Sequence, residues 1–445
     1  MLRVGYIFQF FLPTYLEAED QLLYIALAQS ILQEGIWPAL VSERTLGYPI
    51  ILAGIFHIFG SEYFLVVMLQ ALIDSITCVL IGLLAVKILQ KNIGVFAGIL
   101  SAFNLNMIVL SSMALTETSF LFLFTLSNLL LAHSILEKKS KYLYAGLAFL
   151  ALSTMVRSAS YYLLPLTLFY LLLLVFLRDY KFFKLMPLFA VSTTIIGIIL
   201  LPQHLHNWDE NRSTDFVSQK GTHILGWVVP AVYQYSGMGS YDDGQKLAHS
   251  RLEEELKKEG LISLPNDPFE ASRYKVRVAY SIFEDFGYFN ILKSWTVGAL
   301  INMLAPSAAF SPAVRAMEHP SFYATQGSGI VEKLWFYITG SGSLYLLILS
   351  VGTITSLIFF SFFLLGWYLA LRNKEKFQQS ILIFFTMQIA YFVLITGPII
   401  GSKYRLPIEP IMTVFIAYAI SYILDKRKIN LSLVRNQNLI VNNKL

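Results

Sequence analysis

Along this chain runs of apolar residues recur at roughly the length a helix needs to cross a lipid bilayer, about twenty residues. They fall at 63–87, 92–112, 118–136, 142–157, 159–177, 182–201, 344–371, 379–400 and 409–424. In hydrocarbon every backbone N–H and C=O must be paired within the protein. Continuous apolar runs are therefore helical, whereas a membrane barrel reads as short alternating segments. Only 14% of the 445 residues are charged and 56% are hydrophobic, a balance outside the soluble range. The predicted fold class is all-α: a polytopic transmembrane helical bundle of about 9–11 spans, with amphipathic helices in its outer loops. The single cysteine, Cys78, excludes an internal disulfide framework, and seven scattered histidines offer no metal-ligand spacing. The net charge of +5 belongs to loops rather than to a nucleic-acid partner. No internal repeat of the transporter kind is visible.

Cations mark one side of the bundle. Lys87 and Lys91, then Lys138, Lys139 and Lys141, then Arg178, Lys181 and Lys184, then Arg372, Lys374 and Lys376, then Lys426, Arg427 and Lys428 fall at alternate crossings. The positive-inside rule places all five clusters in the cytoplasm. Facing out are then 17–62, the turns at 113–117 and 157–160, the stretch 202–343, and 401–408. This divides the chain into an N-terminal membrane core (1–201) carrying a first outer loop (17–62), an outer segment (202–343), C-terminal spans (344–424) with an outer motif at 401–410, and a cytoplasmic tail (425–445). Within the outer segment, 242–260 reads as a charged surface helix ended by Gly260, and 288–305 as a helix lying on the membrane. Thr14 to Glu17 has the form of a capping box, which predicts a helix from there to Glu34, stopped by Gly35. The apolar stretch before it, Leu2 to Leu12, is too short to span unaided, so either an upstream piece of a first helix is missing or this helix merges into the next.

Four outward sites hold polar groups. Helical spacing puts Glu17, Asp20 and Tyr24 on one face, with Leu22, Leu23, Ile25, Ala26 and Leu27 over much of the other, as in a helix floating on the membrane. Glu117 begins a span, where an acid complements the helix dipole with Thr116 or Ser112 as cap. Arg157 lies at a tight turn, where a snorkelling cation also fits. Lys403 and Arg405 lie outside, against the charge bias, on a turn framed by Pro407 and Pro410. An arginine fork grips phosphate bidentately and lysine adds a point charge. Outer acids beside outer cations point to chemistry on an anionic substrate at the membrane surface.

Five stretches in order, "DQLLYIALA", "LGYPIILAGIFHIFG", "ALTETSF", "VRSASYYLLP" and "SKYRLPIEP", run from Asp20 to Pro410. With them the chain resembles the membrane glycosyltransferases of the GT-C fold. The branch it resembles is that of the dolichyl-phosphate-mannose protein mannosyltransferases and the lipid A aminoarabinose transferase. The resemblance implies transfer of a sugar from a polyprenyl-phosphate carrier to an acceptor hydroxyl on the outer face, with inversion. It implies an acid in the first outer loop as base, a position that Asp20 occupies. Gln21 stands where the family often has a second acid, and Leu46 where its loop often has a proline. Asp20 and Glu117 are the expected catalytic residues, Lys403, Arg405 and Arg157 the donor-phosphate ligands, and Tyr24, Tyr48 and Tyr404 the substrate-positioning ones. The implied partners are a polyprenyl-phosphate-sugar donor, a lipid, glycan or protein acceptor, and membrane lipids, with no nucleic acid. The resemblance fixes no cofactor and leaves the metal requirement open: Glu117 would orient the acceptor or Asp20, or help to bind a divalent cation if one is used. The expected location is a bacterial plasma (inner) membrane with the site outside the cytoplasm. The competing readings are an O-antigen polymerase or ligase, and a flippase or transporter; the latter predicts mid-span charges and broken, repeated helices.

Overall fold

Among the described residues seven helices are long and apolar enough to cross a bilayer, or eight if a pair bent at a short break counts as one span. The computed structural model describes residues 1–12, 19–177, 182–321, 325, 330–372 and 378–442, and among them there is no strand. A short α1 (Leu2–Phe10) is followed by α2 (Gln21–Glu34) and α3 (Gly47–Phe59). The first membrane group is α4 (Tyr63–Ile88), the bent pair α5 (Lys91–Ala102) and α6 (Leu105–Ser111), α7 (Thr116–Glu137) and α8 (Ser140–Val156). Then come α9 (Leu163–Phe176) and α10 (Phe182–Asn211). The run at 142–157, expected as a span, is α8; it has 17 residues and is not among the seven. It packs along α7 as a hairpin.

The segment after α10 builds a helical unit with its own core. α11 (Lys220–His223) runs through a π-helical turn into α12 (Val229–Ser236), followed by α13 (Tyr241–Lys258), α14 (Pro268–Phe286) and α15 (Tyr288–Leu304). The charged helix expected at 242–260 is α13, started by a Ser240–Asp243 capping box and followed by Gly260 in a left-handed conformation (φ 72°). The helix expected at 288–305 is α15, with Tyr288, Phe289 and Leu292 outward and Ser294, Gly298 and Asn302 packed inward. Two short helices, α16 (Pro312–Arg315) and α17 (Ile330–Thr339), lead to the closing membrane helices α18 (Ser343–Arg372), α19 (Gln379–Thr396) and α20 (Glu409–Asn442).

The first outer helix differs from its expected form. Thr14 and Glu17 lie outside the described residues, and Glu19 adopts a left-handed conformation (φ 61°), so α2 starts only at Gln21 with Asp20 as its N-cap. Its buried face is Gln21, Tyr24, Ile25, Ala28 and Ile31, a three–four spacing that turns Tyr24 inward and leaves Leu22 and Leu23 exposed. Gly35 ends the helix at φ 90° as expected. Of the basic clusters, Arg178, Lys181, Lys374 and Lys376 fall outside the described residues.

The break between α5 and α6, a bend of 51°, releases backbone groups that hydrocarbon cannot satisfy. Arg3 of α1 donates to the carbonyls of Ala102 (3.1 Å) and Ser101 (3.4 Å) and pairs with buried Asp74 of α4. Beyond the bend, the Asn104 side chain accepts from the N–H groups of Asn106 and Met107, capping α6. Both asparagines donate to Glu409 at the start of α20, each at 2.9 Å. The kink is thus held from both sides by side chains of distant segments.

Candidate active site

The α7–α8 hairpin returns its two open ends to one place. Glu117, in the first turn of α7, pairs with Arg157, the residue that follows α8, and Arg157 also donates to Thr116 Oγ1 at 3.1 Å. Thr116 in turn donates to the second Glu117 oxygen at 3.0 Å. The acid is buried, so the pair is a fixed unit rather than a surface contact. Gly47 explains how α3 joins it. A Cβ there would lie 2.6 Å from the Met155 backbone, so only glycine lets α3 begin against the end of α8, one residue from the turn that carries Arg157.

Asp20 approaches from the start of α2. Its carboxylate is 54% exposed and only loosely paired with Arg44, at 3.6 Å. The following Gln21 is buried and accepts a hydrogen bond from the Ala114 N–H at 2.7 Å, which ties the start of α2 to the turn before Glu117. Tyr24, one turn on, packs edge-on against Tyr48 (ring centroids 5.3 Å apart). Burial, then the nearby Glu117 charge, pushes the Tyr24 hydroxyl up to about 12, so it stays protonated and able to donate.

The two cations of the SKYRLPIEP motif have different fates. Lys403 is 15% exposed and donates to Glu19 at 2.6 Å, within electrostatic range of Glu117 and Tyr404. Arg405 is turned away from this cluster. Its Nε donates to Glu409 (2.9 Å), Nη1 to the carbonyls of Asn302 (3.1 Å), Met303 (2.7 Å) and Ala305 (3.2 Å), and Nη2 to Ser307 Oγ (3.1 Å). The expected phosphate ligand is therefore a buried strut that satisfies the open carbonyl end of α15. Tyr48 is a second correction: it is 1% exposed and donates its hydroxyl to Gln70 at 2.6 Å, so it supports Tyr24 instead of meeting a substrate.

Three residues with no role in the sequence reading complete the cluster. Glu19 bridges Lys403 and Arg315, the latter at 2.7 Å. Burial raises the Glu19 carboxyl, but Lys403 and then Arg315 outweigh it and hold the group below its ordinary value. Arg44 faces Asp20. A neighbouring acid and a lone arginine carry no spacing signal, so only the fold reveals them. Among the described residues no group of three or more His, Cys, Asp or Glu is arranged to hold a metal. Both Glu117 oxygens are engaged by Arg157 and Thr116, so this carboxylate does not fit the role of a cation ligand.

The ends of several apolar helices thus bring an exposed carboxylate, a buried acid–arginine unit and a lysine together in a polytopic helical membrane protein. Residues 43–204 match the family model described as dolichyl-phosphate-mannose-protein mannosyltransferase, so the resemblance carried by the LGYP, TETSF and VRSASYY stretches is borne out over that segment. The solved oligosaccharyltransferase of Archaeoglobus fulgidus, carrying a tethered acceptor peptide with the NVT sequon, is 16% identical over 92% of this chain and 46% of its own, with a TM-score of 0.46. This chain therefore spans about half the length of that enzyme. ArnT from Cupriavidus metallidurans, in the apo state, is 11% identical over 89% of this chain and 71% of its own, with a TM-score of 0.35. At these values neither likeness defines an activity for this chain. No curated protein matches it.

Proposed function

We propose that this protein is a membrane glycosyltransferase that moves a sugar from a polyprenyl-phosphate-linked donor to an acceptor hydroxyl on the extracytoplasmic face, with inversion. The observation that carries this reading is the convergence of Asp20, Glu117, Arg157, Lys403, Tyr24 and Tyr404 in one electrostatic cluster, although they come from four separated stretches of sequence. The match to the mannosyltransferase model supports the same chemistry. The orientation rests on charge. α7 starts at the site and ends at Glu137, which pairs with Lys87 and Lys139, so the cationic ends of these helices lie opposite the site.

The reaction is a single displacement. The acceptor oxygen forms a bond to the anomeric carbon while the bond from that carbon to the phosphate oxygen breaks, the electron pair leaving with the lipid phosphate. The acceptor proton passes to Asp20, whose exposed and weakly paired carboxylate is free to take it. Lys403 and Arg157 supply fixed positive charge where the phosphate leaves. Glu117 holds Arg157 in place and needs no direct part in proton transfer.

Asp20→Asn keeps the side chain's shape and removes its basicity. Transfer from polyprenyl-phosphate hexoses and pentoses should fall about a hundred- to ten-thousand-fold, with protein yield unchanged. Near-wild-type transfer would remove Asp20 as the base. A wild-type protein that transfers from none of these donors would overturn the reading as a whole.

A further inference from the structure

Arg315 and Lys403 reach opposite oxygens of one carboxylate, that of Glu19, from positions 296 and 384 residues away along the chain. Both cations also lie against one aromatic ring. The Arg315 guanidinium carbon is 4.3 Å and Lys403 Nζ 5.3 Å from the centre of the Phe310 ring. Phe310 is thus a second neighbour, besides Glu19, that both positive groups share. Glu19 itself is held in the left-handed backbone region (φ 61°), which a residue with a Cβ adopts only under constraint. The arrangement is an anion seat, made by side chains of two outer segments and filled by an acid from a third.

We propose that Arg315 and Lys403 form the seat for the donor phosphate, and that the phosphate enters by displacing Glu19. This deepens the function proposed above and rests on it for the identity of the anion. A phosphate group presents oxygens to an arginine and a lysine much as a carboxylate does, with more charge and more acceptors. The other cations of the neighbourhood place their hydrogen bonds elsewhere: Arg405 on Glu409 and backbone carbonyls, Arg157 on Glu117 and Thr116, while Arg44 faces Asp20; Arg157 therefore adds its positive charge near the seat without ligating the phosphate. Lys403 lies within electrostatic range of Glu117, so a phosphate in the seat also lies in the field of the acid–arginine unit. Asp20 directly follows Glu19, so releasing Glu19 from its constrained backbone also frees the segment that carries the base. Donor binding and alignment of the base become one event.

The test is binding of farnesyl phosphate to the purified full chain in detergent, against uncharged farnesol and inorganic phosphate, with thermal melting as a check on folding. Glu19→Gln keeps the shape but removes the competing charge, and should bind farnesyl phosphate about tenfold more tightly than wild type. Arg315→Gln, at a partly exposed position, and Lys403→Ala should bind it about tenfold more weakly, with farnesol affinity unchanged throughout. In the Arg315→Gln background the gain from Glu19→Gln should shrink or vanish. Folded Glu19→Gln protein that binds no better than wild type would overturn the displacement and reduce Glu19 to a structural tie. The same pattern with inorganic phosphate but not farnesyl phosphate would keep the seat and remove the lipid-linked donor. No phosphate binding by any folded variant would remove the seat itself.

Discussion

Replacing Arg405 by alanine is the substitution that separates a strut from a phosphate grip. The side chain is buried and makes five hydrogen bonds, to Glu409, to three carbonyls at the end of α15 and to Ser307. Removing it leaves Glu409 a buried carboxylate served only by the amides of Asn104 and Asn106, and leaves the end of α15 without its donor. Breaking a buried pair from one side costs about 3–5 kcal/mol, or roughly a hundred- to several-thousand-fold in the folding equilibrium. Arg405→Ala should therefore lower the amount of monodisperse protein and its melting temperature. Molecules that do fold should bind farnesyl phosphate with near-wild-type affinity. Arg405→Lys should recover only part of the yield, because one ammonium cannot serve a carboxylate, three carbonyls and a hydroxyl at once. Glu409→Gln should be far less additive with Arg405→Ala than two independent sites would be. Size-exclusion yield, melting and phosphate binding on the same preparations decide the matter. Arg405→Ala protein with wild-type yield and melting but tenfold weaker phosphate binding would refute the strut.

Two further outcomes follow from positions described above. Gly47→Ala places a methyl group 2.6 Å from the Met155 backbone, so α3 must move off the end of α8; transfer should drop at least tenfold from displacement of the Arg157 turn, whereas Gly54→Ala, with open space around its Cβ, should be silent. In a Cys78→Ala background, cysteine at the exposed position Glu43 should react with an impermeant thiol reagent in intact cells, and cysteine at Lys138 only after lysis; the reverse pattern would invert the topology.

Much of the membrane architecture was legible because a bilayer imposes length and polarity on any span, and cations punctuate the ends. That the turns carrying Glu117, Arg157 and Lys403 belong to one end of the bundle was expected from the same alternation. What could not be read was which way each polar side chain points. Arg405 and Lys403 sit two residues apart in one motif, yet one enters the protein and the other faces the acids. A signal was present: Glu409 stands four residues beyond Arg405, the spacing of a helical ion pair. Tyr48 was misplaced for a related reason, since a tyrosine between a glycine and a proline at a helix start does not announce that its partner is Gln70 on the next helix. Glu19 and Arg315 were invisible because their meeting depends on a left-handed turn and on a four-residue helix in the outer segment.

The kink between α5 and α6 also sets an order of events during synthesis. Its N-terminal side can be closed early, since Arg3 and Asp74 are already made when α5 emerges. Its C-terminal side cannot, because the acceptor for Asn104 lies 305 residues downstream. At about 5–20 residues per second, the ribosome needs roughly 15–60 s to deliver Glu409. Throughout that interval two asparagines wait inside or beside the membrane without their carboxylate. The α5–α6 bend therefore stays provisional until α20 inserts, so that a late helix locks an early one.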